Sequence, residues 1–170
     1  MTDTVLRPRS LNHVAYVTCD TARTMAFYTD ILKMRLVSYA RDASVGSTGE
    51  PSAFLHTFFE MADGSCVAFF EIEGVAIDHH ESSLPRWAPH LAMSVHSREE
   101  LEEMQGRLLA AGVEVRGIVE HEGIWSSIYF FDPNGVRLEI TYQNRPLNED
   151  DAAAARKAVA EWLGEHTSQG

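Results

Sequence analysis

The chain has 170 residues, with 14 Lys and Arg against 25 Asp and Glu, and a formal net charge of −11. Hydrophobic residues at 45% and charged residues at 23% fit one soluble globular domain, and the acidic balance argues against nucleic acid or an anionic membrane as partner. No run of about 18 apolar residues marks a membrane span. Met1-Thr2-Asp3-Thr4 carries no signal-peptide pattern, and Cys19 and Cys66 make neither a disulfide scaffold nor a metal-type spacing, so a cytoplasmic, reduced protein is expected.

A strand is predicted over Leu11–Thr18. A helix follows, carrying Met25, Phe27, Tyr28, Ile31 and Leu32 at helical spacing, with Asp20 or Thr21 as its N-cap. Arg35–Arg41, Ala53–Met61 and Ser65–Ile72 read as three further strands, the last two joined by a turn at Ala62-Asp63-Gly64. Arg41–Pro51 has no periodicity and is expected to be a loop. The same order then repeats. His90–Val95 is a strand, and a helix from about Arg98 to Ala111 has a capping box in Ser97 and Glu100 and a stop at Gly112. Glu114–Glu120, Ser126–Phe131 and Val136–Tyr142 supply three more strands, the last entered through Asp132-Pro133-Asn134-Gly135. An Ala-rich helix closes the chain, capped by Asn148-Glu149-Asp150-Asp151 and ending near Gly164. Val159, Trp162 and Leu163 give it an apolar edge expected to pack on the body or on a partner subunit.

Two βαβββ passes make a fold of the α+β class: a first module over residues 10–73, a linker over 74–88, a second module over 89–143 and a C-terminal helix over 147–165. The repeat can be tested on ligand positions. His13 stands opposite His90. Gly64 precedes Ala68 by four residues, as Gly135 precedes Glu139, so Ala68 is the counterpart of Glu139. Period-two alternation sets His13 opposite Val14 and Tyr16, His90 opposite Leu91, Met93 and Val95, and Glu139 opposite Leu138 and Ile140. Each of these residues alone reads as an ordinary strand side chain. Together, two imidazoles and one carboxylate on the faces turned from the helices form the ligand set of a facial triad with open coordination positions. Glu71, three residues from Ala68, points to the other face.

The stretches Asn12-His13-Val14-Ala15-Tyr16-Val17, Phe27-Tyr28, Pro89-His90-Leu91-Ala92-Met93-Ser94-Val95 and Ile128-Tyr129-Phe130-Phe131-Asp132-Pro133-Asn134-Gly135 with Leu138-Glu139 resemble the vicinal oxygen chelate superfamily. That superfamily includes glyoxalase I, methylmalonyl-CoA epimerase, fosfomycin and bleomycin resistance proteins and type I extradiol dioxygenases. The resemblance implies paired βαβββ modules forming an eight-stranded, U-shaped mixed sheet around a divalent metal, and a homodimer. His13, His90 and Glu139 would be the metal ligands. Glyoxalase-type and epimerase-type relatives fill the position of Ala68 with Glu or Gln, which leaves the isomerase reading without its usual base. Extradiol dioxygenases are similar in carrying a tyrosine ten residues before the metal Glu, here Tyr129, and several hold a histidine over the open metal face, here His121. Their acid–base histidine would fall near Ser65-Cys66, so His56 is the nearest substitute.

The expected activity is therefore Fe(II)-dependent, extradiol-type cleavage of a small aromatic diol or similar chelating substrate with dioxygen. His13, His90 and Glu139 would hold the metal, and Tyr129, His121 and His56 are the catalytic candidates. The alternatives are a glyoxalase- or epimerase-like lyase or isomerase using Mn, Zn, Ni or Co, and a non-catalytic drug-binding protein. Phe58, Phe59, Phe69, Phe70, Trp87 and Trp125 are candidates for the walls of an aromatic pocket, and Asp78-His79-His80-Glu81 is a candidate lid.

Overall fold

The computed structural model describes residues 7–76 and 84–166, with side chains to residue 164. Asp78-His79-His80-Glu81 lies outside them. β1 (His13–Thr18) leads into α1 (Thr21–Ala26), whose N-cap Asp20 accepts a hydrogen bond from the Arg23 amide at 2.9 Å. The helix then widens into a π-helical turn at Phe27–Ile31, where the Leu32 amide reaches back to the Phe27 carbonyl. β2 (Arg35–Ser44), β3 (Pro51–Glu60) and β4 (Cys66–Ile72) complete the first module. The second repeats it as β5 (Leu91–Val95), α2 (Arg98–Ala110), β6 (Arg116–His121), β7 (Trp125–Phe131) and β8 (Arg137–Gln143), and α3 (Glu149–His166) follows. Ser97 caps α2 by accepting from the Glu100 amide, while Glu100 reaches the His96 amide rather than that of Ser97. Among the described residues no helix is long and apolar enough to cross a membrane.

The eight expected strands divide into two hydrogen-bonded sheets of four, ordered β1-β4-β3-β2 and β5-β8-β7-β6. In each, the first and last strands of the module pair in parallel and the others antiparallel. The registers are equivalent: Ala15 lies beside Ala68 in one sheet and Ala92 beside Glu139 in the other, so Ala68 does occupy the Glu139 position. One expected boundary changes. Residues 41–51 form a loop only over 45–50: β2 runs on to Ser44, β3 starts at Pro51, and the Val45 amide bonds to the Glu50 carbonyl across the turn. Arg41–Ser44 carry no apolar periodicity, but cross-strand pairing satisfies their backbone groups.

Both sheets turn their apolar faces onto one core. Phe59, Val67 and Phe69 from the first, and Met93, Ile128, Phe130, Leu138 and Ile140 from the second, meet Phe27, Tyr28, Leu32, Leu101 and Leu108 from the helices. Each such aromatic or Leu side chain contributes about 1.5–3 kcal/mol by leaving water. Alternation then dictates that the opposite faces, carrying the candidate ligands, are turned away from this core and from each other.

The apolar edge of α3 does not pack as deeply as expected: Val159, Trp162 and Leu163 remain more than half exposed. The helix start is tied instead by Arg145, which donates two 2.7 Å bonds to Asp151, and by Asn148, which accepts from the Asp150 and Asp151 amides. Arg145 holds the Asp151 carboxyl down to about 2. A depressed carboxylate stabilises above its unfolded value and loses that contribution as pH falls through the folded one. The start of α3 should therefore loosen between about pH 4 and pH 2. Amide exchange over residues 149–153 would rise across that window in the native chain, and Asp151→Asn should abolish the transition.

Candidate functional site

On the second sheet, cross-strand pairing sets Arg116, Tyr129, Glu139 and Ala92 in one row across β6, β7, β8 and β5. Glu139 is buried, and its Oε2 lies 2.9 Å from His90 Nε2. The other His90 ring nitrogen, Nδ1, faces the Ala88 carbonyl at 2.9 Å, so it donates and Nε2 is the atom presented to the carboxylate. Two donor atoms each about 2.1 Å from one ion at right angles stand about 3 Å apart, so this separation suits a shared ion. Tyr129 lies beside Glu139, and its hydroxyl meets His121 Nε2 at 2.8 Å. Burial raises the Tyr129 phenol above its usual range, and the Glu139 charge adds to this. His121 owes its place to the turn that follows, where Glu122 (φ 52°) and Gly123 (φ 68°) both take left-handed conformations and the Ile124 amide bonds back to the His121 carbonyl.

The first sheet carries the other candidates. His13, His56, Phe58, Ala68 and Phe70 share its outer face. His13 Nδ1 is held by Asn12 Oδ1 at 2.7 Å, leaving Nε2 as the ring nitrogen that could ligate an ion. His56 lies on this same outer face. It is buried, donates from Nδ1 to the Phe69 carbonyl at 3.1 Å and stacks flat on Phe70 at 3.6 Å between centroids. Burial holds its imidazole below the usual range, reinforced by His13 against the pull of the Phe69 carbonyl. Of the aromatic candidates, Phe58 and Phe70 line this face. Phe59 and Phe69 belong to the core, and Trp87 is exposed. Glu71 points to the helix side, where it accepts the Thr21 amide.

The chain thus unites His90, Glu139, Tyr129 and His121 in one half-site and His13 with His56 in another. Among the described residues no three His, Cys, Asp or Glu side chains converge on one ion position. Sequence reasoning missed the arginines of the second half-site. Arg137 lies over the Tyr129 ring at 4.3 Å and bonds the Trp87 carbonyl, and Arg86 lies over Phe131 at 4.6 Å. The available signal was parity: Arg137 stands two residues before Glu139 on the same strand, hence on the same face.

The family model described as the Glyoxalase/Bleomycin resistance protein/Dioxygenase superfamily matches residues 10–140. Among solved structures, the chain is similar to a glyoxylase/bleomycin resistance protein/dioxygenase domain from Frankia sp. EAN1pec, at 21% identity and TM-score 0.63 over 81% of this chain and 99% of that one. It is also similar to a glyoxalase/dioxygenase from Nostoc punctiforme, at 20% identity and TM-score 0.61 over 85% and 100%. These two show the fold alone. A mutant of the genomically encoded fosfomycin resistance protein FosX from Listeria monocytogenes, complexed with Mn(II) and 1S,2S-dihydroxypropylphosphonic acid, matches at 25% identity and TM-score 0.57 over 85% and 98%. A comparison with curated proteins finds no match. With the family model covering most of the chain and both βαβββ modules in place, the chain belongs to the glyoxalase/bleomycin resistance protein/dioxygenase superfamily.

Proposed function

We propose that the chain works as a homodimer in which the outer face of one subunit's first sheet meets the outer face of the other's second sheet. Each site then holds a divalent metal, Fe(II) by preference, between His13 of the partner subunit and His90 and Glu139. The chemistry we infer is extradiol-type oxygenation of a small aromatic diol. The observation that carries this reading is the pairing register. Ala68 stands where a fourth ligand would, so the shell stops at two imidazoles and a carboxylate. The donor set fits a metal: all three side chains are oriented by neighbours, and His90 Nε2 and Glu139 Oε2 already stand at the spacing of adjacent ligands.

Such an ion would supply Lewis-acid activation of a chelating substrate and of dioxygen. The chain's own residues supply the proton handling. Tyr129 accepts a proton from a substrate hydroxyl beside Glu139 as it donates its own to His121, 2.8 Å away at the sheet edge. The raised phenol suits a group that stays protonated and relays rather than ionises. Phe58, Phe70 and His56 of the partner subunit supply flat surfaces for a ring.

Metal analysis of anaerobically purified protein followed by oxygen uptake with a catechol panel tests the reading. Bound iron and oxygen consumption are expected, and neither iron nor uptake with any diol would sink it. His121→Ala should lower turnover about 100-fold with metal content unchanged; full activity would remove His121 from the mechanism. A second reading, a glyoxalase- or fosfomycin-resistance-type enzyme using Mn(II) on a non-aromatic chelate, is favoured by the likeness to the Mn(II)-bound FosX mutant. It is disfavoured by Ala68, which leaves a proton-shuffling mechanism without a second carboxylate. Turnover with Mn(II) and without oxygen would select it.

A further inference from the structure

In a chain of 25 acidic and 14 basic residues, three arginines gather beside the second half-site. Arg116 pairs across the strands with Tyr129, on the side away from Glu139, and Arg137 covers the Tyr129 ring. With Arg86, Trp87 and Phe131 they line a cleft of about 510 Å³. An adjoining cleft of about 360 Å³ shares Arg86, Phe131 and Arg137 and reaches His90. None of the three arginines is ion-paired among the described residues, whereas Arg98, Arg107, Arg145 and Arg156 each hold a carboxylate. Glu114 borders the larger cleft without ion-pairing to any of them.

Like charges drawn together without neutralisation are unfavourable, and an acidic protein has carboxylates to spare for them. Two of the guanidinium groups are also held against aromatic faces, Arg86 on Phe131 and Arg137 on Tyr129; one Arg137 N–H is taken by the Trp87 carbonyl, and the remaining N–H groups of both face a ligand. A planar fork of donors fits a carboxylate, phosphate or phosphonate in a way that it fits no neutral group.

We propose that the substrate carries such an anionic group, and that Arg116 and Arg137, with Arg86 at the mouth, hold it next to Tyr129 while the reacting oxygens lie at His90 and Glu139. This deepens the reading above and rests on it for the position of the reacting end. The site then measures its substrate between two fixed points, a chelating end and a charged end. A neutral diol would be turned over less efficiently than one bearing an acid group.

Calorimetric titration of the chain with phenylphosphonate, benzoate and phenol tests this without turnover. The two anions should bind and phenol should not, with the tighter anion naming the acid class. Arg116→Gln and Arg137→Gln should each weaken anion binding about 10-fold. Arg156→Gln on α3 should leave it unchanged. Arg116 is exposed, so its variant remains informative if Arg137→Gln does not fold. Phenol binding equal to the anions, or unchanged affinity in the Arg116 variant, overturns the proposal. Glu139→Ala should retain phenylphosphonate binding, which separates the two readings. Arginine-dependent binding in a wild-type chain that takes up no metal would keep the anion site and remove the metal. A metal-loaded chain whose Arg variants bind phenylphosphonate as wild type does would keep the metal and remove the anion site.

Discussion

Glu139→Ala is expected to weaken metal binding by more than about 100-fold, because it removes a ligand rather than one of the neighbours whose loss alone costs 10–100-fold. His13→Ala is expected to do the same, although His13 sits on the other sheet and joins no three-ligand cluster within its own chain. The informative experiment mixes the two inactive variants. In a symmetric dimer with shared sites, a mixed pair holds one site built from an intact His13 and an intact His90–Glu139 couple, and a second site lacking both. Random exchange makes half of the dimers mixed, so about a quarter of all sites should recover metal and activity. Recovery must track the mixed dimer seen by native mass spectrometry. If subunits exchange and neither metal nor activity returns, the three residues do not share one site across subunits. The single chain gives the reason to expect recovery: its two ligand faces are turned apart by a common core, so each half-site lacks what the other holds.

Much of this was legible in the sequence because strand alternation is local. His13, His90 and Glu139 each follow or precede a bulky apolar residue, and period two alone puts them on the face away from the helices. The vacancy at Ala68 was legible too, since two glycines four residues upstream fix the register of both modules. What was not legible depends on packing between distant segments. The way both helices lie between the sheets rests on contacts such as Tyr28 with Asp132, 104 residues apart. No local pattern reports such a contact, so nothing local told that His13 and the His90–Glu139 pair would lie on separate sheets with the core between them. The π-helical turn at Phe27–Ile31 read as ordinary helix because five apolar residues match a 3.6 period closely enough. The arginine cluster went unread because Arg86, Arg116 and Arg137 come from three separate segments, and only their pairing and ring contacts unite them.

Asp132→Ala should be among the most destabilising substitutions outside the apolar core, at about 3 kcal/mol or more. Its buried carboxylate organises the turn that launches β8 and ties it to the first module. Oδ1 accepts the Asn134 and Val136 amides at 2.8 Å, and Oδ2 accepts the Tyr28 hydroxyl at 3.2 Å and the Asn134 side-chain amide at 3.1 Å. Burial pushes the Asp132 carboxyl above its usual range despite these four donors, so desolvation there is costly and the donors only partly offset it. Alanine takes away the acceptors and leaves the donors. The fully buried Tyr28 hydroxyl has no water to turn to and the Asn134 side-chain amide keeps only Thr24 as a partner, and an orphaned donor costs about 1–3 kcal/mol. For a chain of this size, a loss of about 3 kcal/mol lowers the unfolding midpoint by about 6–12 °C. Tyr28→Phe removes a donor and keeps the acceptor, so it should cost only about 1 kcal/mol. In the double variant the two losses should fall short of additive, because both act on one network. Thermal and denaturant unfolding of the three variants decides the matter. An Asp132→Ala chain within about 0.5 kcal/mol of the native one, the range of an ordinary surface substitution, would mean that the apolar core alone joins the modules.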